Sequence, residues 1–126
     1  MIETIMTAKG NVYDKVSKIL RECNIRPHLS GFTYLKEAIV QVYSGACTMR
    51  GVTKTLYPAV ARIYDTTPSA VERAMRHAIT YAWEKSASEP SVILNDLFRY
   101  PKRFTIPTIT EFVATVVESM QRYIGV

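Results

Sequence analysis

The sequence predicts an all-α fold, with about six helices in one domain. Apolar residues recur at three- and four-residue spacing along its longer segments, which is the period of an amphipathic helix. Proline, threonine or serine stands at the expected start of several of these segments. The chain also has no internal repeat, low-complexity tract or flexible linker, and its 126 residues are enough for one core.

The first predicted helices span 11–24 and 32–43. In the first, apolar side chains share one face, and Pro27 follows its end. Ser30 and Gly31 offer a capping position for the second, which Ser44 and Gly45 terminate. We expect residues 1–10 to be a disordered lead-in.

In the middle of the chain, the sequence predicts two helices joined by a short turn. Residues 50–57 are expected to form a loose turn before a short helix at 58–64, where Pro58 occupies the first turn. Thr67 is then a predicted N-cap, with Pro68 at the first position of a helix that spans 68–85.

The last third predicts a short helix at 91–98 after a polar break. An ordered loop is expected at 99–107, because it holds two prolines and has no helical period. Thr108 or Thr110 should cap a final helix that continues to about Ile124.

Composition excludes several classes of protein. Charged residues make up 21% and apolar residues 48%, which is typical of a globular domain and not of a disordered one. No apolar run has the length of a membrane span or resembles a signal peptide, so we expect a cytoplasmic protein without a membrane partner. The net charge of +5 arises in residues 1–64, which contain nine basic and four acidic residues, while 65–126 contain seven of each. This excess suits a polyanionic partner but does not by itself identify one.

Catalytic and metal-binding patterns are missing from the sequence. Cys23 and Cys47 form no CxxC pair and are expected to be reduced thiols in the core. His28 and His77 have no carboxylate or cysteine at a suggestive spacing, and no glycine-rich phosphate loop is present. We therefore predict no enzyme, no cofactor, no metal and no small-molecule substrate.

The predicted helix 68–85 separates cleanly into two faces. At about 100° per residue, its apolar side chains form a narrow, alanine-rich arc that permits close packing against another helix. Glu72, Arg73 and Arg76 lie together on the opposite face, in the N-terminal half from which a recognition helix contacts bases. Arginine pairs with the O6/N7 edge of guanine, and glutamate accepts from the amino group of cytosine. Ser69, Thr80 and His77 lie at the margin, within reach of phosphates or bases.

The alternative for Glu72 and Arg76 is an ordinary i,i+4 ion pair on a solvated face. The preceding helix favours DNA binding instead, because the pair 58–64 and 68–85 has the spacing of a helix-turn-helix, with small Ala61 at the expected crossing. Asp65 stands where many such motifs have glycine, and aspartate tolerates left-handed geometry better than most residues.

The residues also resemble the DNA-binding effector domain of the stage-zero sporulation response regulator of endospore-forming bacteria. The segments that carry the resemblance are GFTYLKEAI at 31–39, TKTLYP at 53–58, VERAMRHAI at 71–79 with Ala82-Trp83, and Pro107-Thr108 with Glu111, Phe112 and Ala114. The similarity runs from about Val12 to Met120 and is most specific between Val71 and Trp83.

This resemblance implies a six-helix regulator domain that binds short "0A box" sites as tandem copies, activating some sporulation promoters and repressing others. It implies base contacts by Glu72, Arg73 and Arg76, with His77 at the DNA backbone. It also implies that the short helix 91–98 and its flanks contact the sigma subunit of RNA polymerase, for which Ser91, Asn95 and Arg99 are the candidates. We expect four further residues to contact the DNA backbone together with His77. They are chosen from their position and side-chain chemistry and are Lys54, Arg62, Ser69 and Thr80.

Two departures from the family pattern are visible. Ala70 replaces an arginine that often precedes the Val-Glu-Arg run, so one phosphate or base contact is expected to be missing. The acidic cluster and acceptor aspartate of a phosphorylated receiver domain are also absent. We therefore expect either an excised effector domain or a protein without phosphorelay control.

The rival interpretation is a helical protein-interaction module that docks a sigma subunit or another helical partner without specific DNA recognition. The short helix 91–98 carries several large apolar residues, and an exposed part of it would suit such a partner. Binding that weakens steeply with salt would favour DNA over this module.

Overall fold

Seven α-helices and one π-helical turn make up the computed structural model, which describes residues 2–98 and 105–123. The helices are α1 Ile2–Thr7, α2 Val12–Glu22, α3 Ser30–Tyr43, α4 Tyr57–Ile63, α5 Pro68–Lys85, α6 Val92–Phe98 and α7 Ile109–Gln121. No strand occurs within these two ranges. The all-α prediction is therefore confirmed, with one helix more than expected.

The additional helix is α1, and it corrects the expectation of a disordered lead-in. Ile5 and Met6 are buried in the core, and the Lys15 ammonium of α2 donates to the Met6 carbonyl at 2.8 Å. A helix of six residues makes fewer than two turns, so its sequence is too short to show a period.

Helix α3 lies at the centre and contacts α2, α4, α5 and α7. Its closest neighbour is α5, because Gly31 removes the side chain where the two helices meet. A Cβ on Gly31 would come within 2.2 Å of the Ala74 carbonyl oxygen and 2.6 Å of the Ala78 Cβ. The expected close packing of the alanine-rich arc is thus achieved through a glycine on the facing helix.

Side-chain caps define the start of several helices, and the sequence predicts those of α5 and α7. The Thr67 hydroxyl accepts from the Ala70 amide at 3.1 Å, and Pro68 opens α5, both as predicted. Thr108 and Glu111 form a reciprocal capping box at α7. The predicted cap of α3 was wrong, because Ser30 and Gly31 are already helical and the N-cap is Leu29, with no side-chain hydrogen bond.

The segment 50–57 is more regular than the expected loose turn. Gly51 adopts a left-handed conformation with φ of 66°, and the π-helical turn Val52–Leu56 leads directly into α4. Val52 and Leu56 are buried, so this turn is anchored in the core. Most of the predicted loop 99–107 lies outside the described residues.

An aromatic series connects the last three helices. Trp83 of α5 meets Phe98 of α6 edge to face at 5.4 Å between ring centroids, and Phe98 stacks on Phe112 of α7, also at 5.4 Å. Trp83, in the last turns of α5, is therefore covered by α6 and buried. In the part of the chain that the structure describes, no helix is long and apolar enough to cross a membrane.

Candidate nucleic-acid interface

Helices α4 and α5 form the predicted helix-turn-helix. Asp65 turns the chain between them in a left-handed conformation, with φ of 51°. The Thr66 amide then donates to the Ala61 carbonyl at 2.9 Å, closing the turn, and Ala61 is buried against the neighbouring helix as expected. Aspartate therefore fills the position that glycine often occupies.

The two faces of α5 are placed as the projection predicts. Its core face is the buried set Val71, Met75, Ala78, Ile79, Ala82 and Trp83, with Ala74 half-buried beside Gly31. Arg73, Arg76 and His77 are exposed on the opposite face. One continuous helix of 18 residues therefore carries the candidate base-contacting side chains on the face opposite the core.

Glu72 and Arg76 form an intrahelical ion pair. The Arg76 side chain is 60% exposed and that of Glu72 is 32% exposed, so the arginine projects further from the surface. One carboxylate oxygen contacts one guanidinium nitrogen. The other donors of the guanidinium fork are available for a base edge, since arginine carries five N–H groups.

Arg73 is exposed on the flank next to this pair and forms no ion pair with any other described residue. His77 follows one turn later and is also exposed. Ser69 lies exposed in the first turn, where Ala70 is half-buried. The structure thus brings the predicted set together along one side of α5.

A groove of about 420 Å³ borders this face. Tyr57, Glu72, Arg76 and Thr80 line one wall, and residues 106–110 line the other. Burial raises the pKa of the Tyr57 hydroxyl, and the nearby Glu72 charge raises it further while Arg76 partly opposes this effect. The Tyr57 hydroxyl is therefore protonated, and it is close enough to Glu72 and Arg76 for their charges to affect it.

The two predicted basic contacts outside α5 are exposed on the preceding elements. Lys54 projects from the π-helical turn, whose neighbours Val52 and Leu56 are buried. Arg62 is exposed in the last turn of α4. Neither contacts the groove beside α5, so their assignment depends on exposure and charge.

Helix α6 places only part of its predicted partner-contacting set on the surface. Ser91 is buried, its hydroxyl donates to the Glu22 carbonyl, and it accepts from the Leu94 amide at 3.0 Å. Its assignment to a partner contact is therefore corrected, because this side chain starts α6 and joins it to α2. Asn95 is exposed, while Arg99 lies outside the described residues.

A buried carboxylate supports the helix-turn-helix from behind. Glu37 of α3 accepts from the Tyr13 hydroxyl at 2.9 Å, the Gln41 amide at 2.8 Å and the Tyr64 hydroxyl at 3.3 Å. Tyr64 ends α4, and its ring lies 5.6 Å from that of Tyr34. These contacts tie the turn to α2 and α3.

The two cysteines are packed in or against the core. Cys23 is fully buried, and burial raises the pKa of its thiol, so it stays protonated. Cys47 is half-buried and packs against the core. No group of three potential metal ligands occurs in residues 2–98 and 105–123.

Sequence analysis missed two features of this surface. Tyr57 and residues 106–110 form the groove only because the chain before α7 returns beside α5. Arg26, between α2 and α3, contacts Tyr81 of α5 although 55 positions separate them. The sequence shows that residues 1–64 have a surplus of basic residues, but it does not show where these side chains lie on the folded surface.

Comparison with known protein families agrees with this geometry. The model of the family described as "Sporulation initiation factor Spo0A C terminal" matches residues 16–120, which includes α3, the helix-turn-helix and almost all of α7.

Proposed function

Since the chain belongs to the Spo0A C-terminal family of DNA-binding sporulation regulator domains, we propose that α5 enters the major groove and recognises a specific DNA sequence. This family is regulatory and not catalytic. The observation that carries the proposal is the group of exposed Arg73 and Arg76 with half-buried Glu72, in the N-terminal half of the second helix of the helix-turn-helix.

Arg73 and Arg76 are proposed to bind guanines through their O6 and N7 atoms. Glu72 either accepts from a cytosine amino group or orients Arg76 through their ion pair. The Arg76 side chain is more exposed than that of Glu72, and Arg73 is also exposed, so the two arginines are the more accessible members of the group.

The backbone contacts are proposed for residues around this centre. Ser69, His77 and Thr80 flank the base-contacting group on α5, whereas Lys54 and Arg62 project from the elements before it. Hydrogen bonds and charges of this kind fix the position of a protein on the duplex without distinguishing sequence.

The resemblance also supports a role at promoters. We propose that two copies bind neighbouring sites in tandem, in the bacterial cytoplasm, and that the exposed side of α6 contacts the sigma subunit of RNA polymerase. Val92 is 61% exposed and Asn95 is exposed in the next turn, which gives α6 an apolar and a polar contact side by side. Activation or repression would then depend on where the sites lie in each promoter.

Selection from a pool of random duplexes tests this function. Duplexes enriched on the purified protein should converge on a short G/C-containing site, and binding should weaken steeply as salt increases. No enrichment, together with salt-insensitive capture of a sigma subunit, would instead support the helical interaction module.

A further inference from the structure

The side chain of Arg26, in the loop between α2 and α3, packs against Tyr81 in the C-terminal half of α5. Its Nη2 donates to the Tyr81 hydroxyl at 2.8 Å, and its guanidinium carbon lies 5.0 Å from the centre of the Tyr81 ring. Tyr81 is 37% exposed, so this pair is at the surface. The guanidinium is thus held by a hydrogen bond and by a cation–π contact.

The loop that carries Arg26 is fixed to the end of α5. The Asn24 side-chain amide donates to the Ser86 hydroxyl at 2.9 Å and to the Glu89 carbonyl at 2.7 Å. Ile25, the residue before Arg26, is 1% exposed and belongs to the core. Arg26 is therefore positioned by its neighbours before any ligand binds.

Tyr81 continues the exposed row of α5 that begins at Arg73. Arg73, His77, Tyr81 and Lys85 are four residues apart, so they form one ridge along the helix. Eight residues separate Arg73 from Tyr81, which is about 12 Å along the axis. When a recognition helix enters the major groove with its N-terminal half, its C-terminal half lies closer to the sugar-phosphate backbone.

A basic cleft of about 380 Å³ lies beside this ridge. It is lined by Arg21, Asn24, Ile25, Arg26, Pro27, Lys85 and Glu89. Arg21, Arg26 and Lys85 are cationic, and the one carboxylate of the lining, Glu89, is paired with Lys85 at 3.2 Å. The lining of the cleft therefore has a net positive charge, which suits the oxygen atoms of a phosphodiester.

We propose that Arg26, braced by Tyr81, binds a backbone phosphate of the same duplex whose bases contact Arg73 and Arg76. This inference rests on the proposed DNA-binding function and adds a site from outside the helix-turn-helix. One guanidinium donor is used by Tyr81, and the remaining fork matches the geometry of phosphate oxygens. The basic excess of residues 1–64 would then have a specific use at this end of α5.

The test is the salt dependence of binding by Arg26→Ala. Affinity for the selected duplex and for a random duplex should fall by the same factor, and the slope of log K against log salt should become shallower by about 0.9. Arg122→Ala is the matched control, since Arg122 is exposed at the far end of α7 in a groove with Glu3 and Asp96. It removes the same charge and should leave the slope nearly unchanged.

Two more variants separate the roles of charge and position. Arg26→Lys should keep most of the slope but lose part of the affinity, because an ammonium lacks the planar fork. Tyr81→Phe should retain the ring contact and weaken binding less than Arg26→Ala does. Circular dichroism melting would verify that each variant is folded.

Two results would overturn the proposal. One is an unchanged salt slope for Arg26→Ala with wild-type affinity. The other is a loss limited to the selected duplex, which would indicate a base contact. Failure of the proposed function itself looks different, because then no duplex is enriched and Arg73→Ala has no effect.

Discussion

Gly31 of α3 lies directly against the Ala74 backbone of α5, so that a Cβ at Gly31 would be 2.2 Å from the Ala74 carbonyl oxygen. The obstructing atom belongs to the main chain of a helix and cannot rotate away. This contact sets the distance between the central helix and the helix proposed to recognise DNA. The position of α5 therefore depends on a residue outside the helix-turn-helix.

Gly31→Ala should destabilise the domain by about 1–3 kcal/mol, the usual cost of overpacking a well-packed contact. At an exposed helical position the same change would stabilise by up to about 1 kcal/mol. Urea unfolding distinguishes the two outcomes by the sign of the change in the free energy of unfolding. A more stable variant would show that α3 and α5 can separate without cost.

Thr67→Ala should lower the free energy of unfolding by about 1 kcal/mol, because the Ala70 amide at the start of α5 loses its side-chain acceptor. Ser69→Ala is the control, since Ser69 is exposed in the same turn and is not the capping residue. The control should change stability by less than about 0.5 kcal/mol. Equal changes in the two variants would refute the capping role.

Much of the helix-turn-helix could be predicted from local sequence. Thr67 with Pro68 fixed the start of α5, and the separation of apolar from charged side chains gave its two faces, because both signals depend on neighbours within a few residues. Asp65 at the turn was also recognised from a local conformational preference.

The contacts that were missed join residues far apart in the chain. Gly31 was interpreted as a capping residue because its function depends on Ala74, which no local pattern indicates. Ser91 was assigned to a partner surface, although its hydroxyl binds the Glu22 carbonyl across 69 positions. Helix α1 was missed because so short an element derives its stability from packing against α2 and α7.

The Glu37 cluster predicts an alkaline limit to stability. The pKa of Tyr13 is raised above 10.0, first by its hydrogen bond to Glu37, and that of Tyr64 is raised by burial and by the Glu37 charge. Since both folded pKa values exceed the unfolded value, this stabilisation is complete below pH 10 and is lost as the pH rises further. Thermal melts between pH 8 and about 12 should show a steeper decline for the wild type than for a Tyr13→Phe, Tyr64→Phe double variant.

The same double variant should be less stable at neutral pH, by about 1 kcal/mol for each hydrogen bond lost to the buried carboxylate. Tyr43→Phe is the control, because Tyr43 makes no hydrogen bond with another described residue. If the control lost as much stability as the double variant, the Glu37 contacts would have no particular role.

Lys54→Ala should weaken binding to all duplexes by a similar factor and reduce the salt slope by about 0.9, because Lys54 is proposed to contact a phosphate. Lys9→Ala removes the same charge from an exposed position after α1 and should have little effect. Salt titrations of both variants on selected and random duplexes provide the comparison. A loss confined to the selected duplex would contradict a backbone contact.

The most direct measurement compares Arg73→Ala and Arg76→Ala on the selected duplex and on a random duplex. Each substitution should cost about 1–3 kcal/mol on the selected site and relax the preference at one base pair, with a smaller loss on random DNA. Equal losses on both duplexes would contradict base recognition by α5 and would leave these arginines as backbone contacts only.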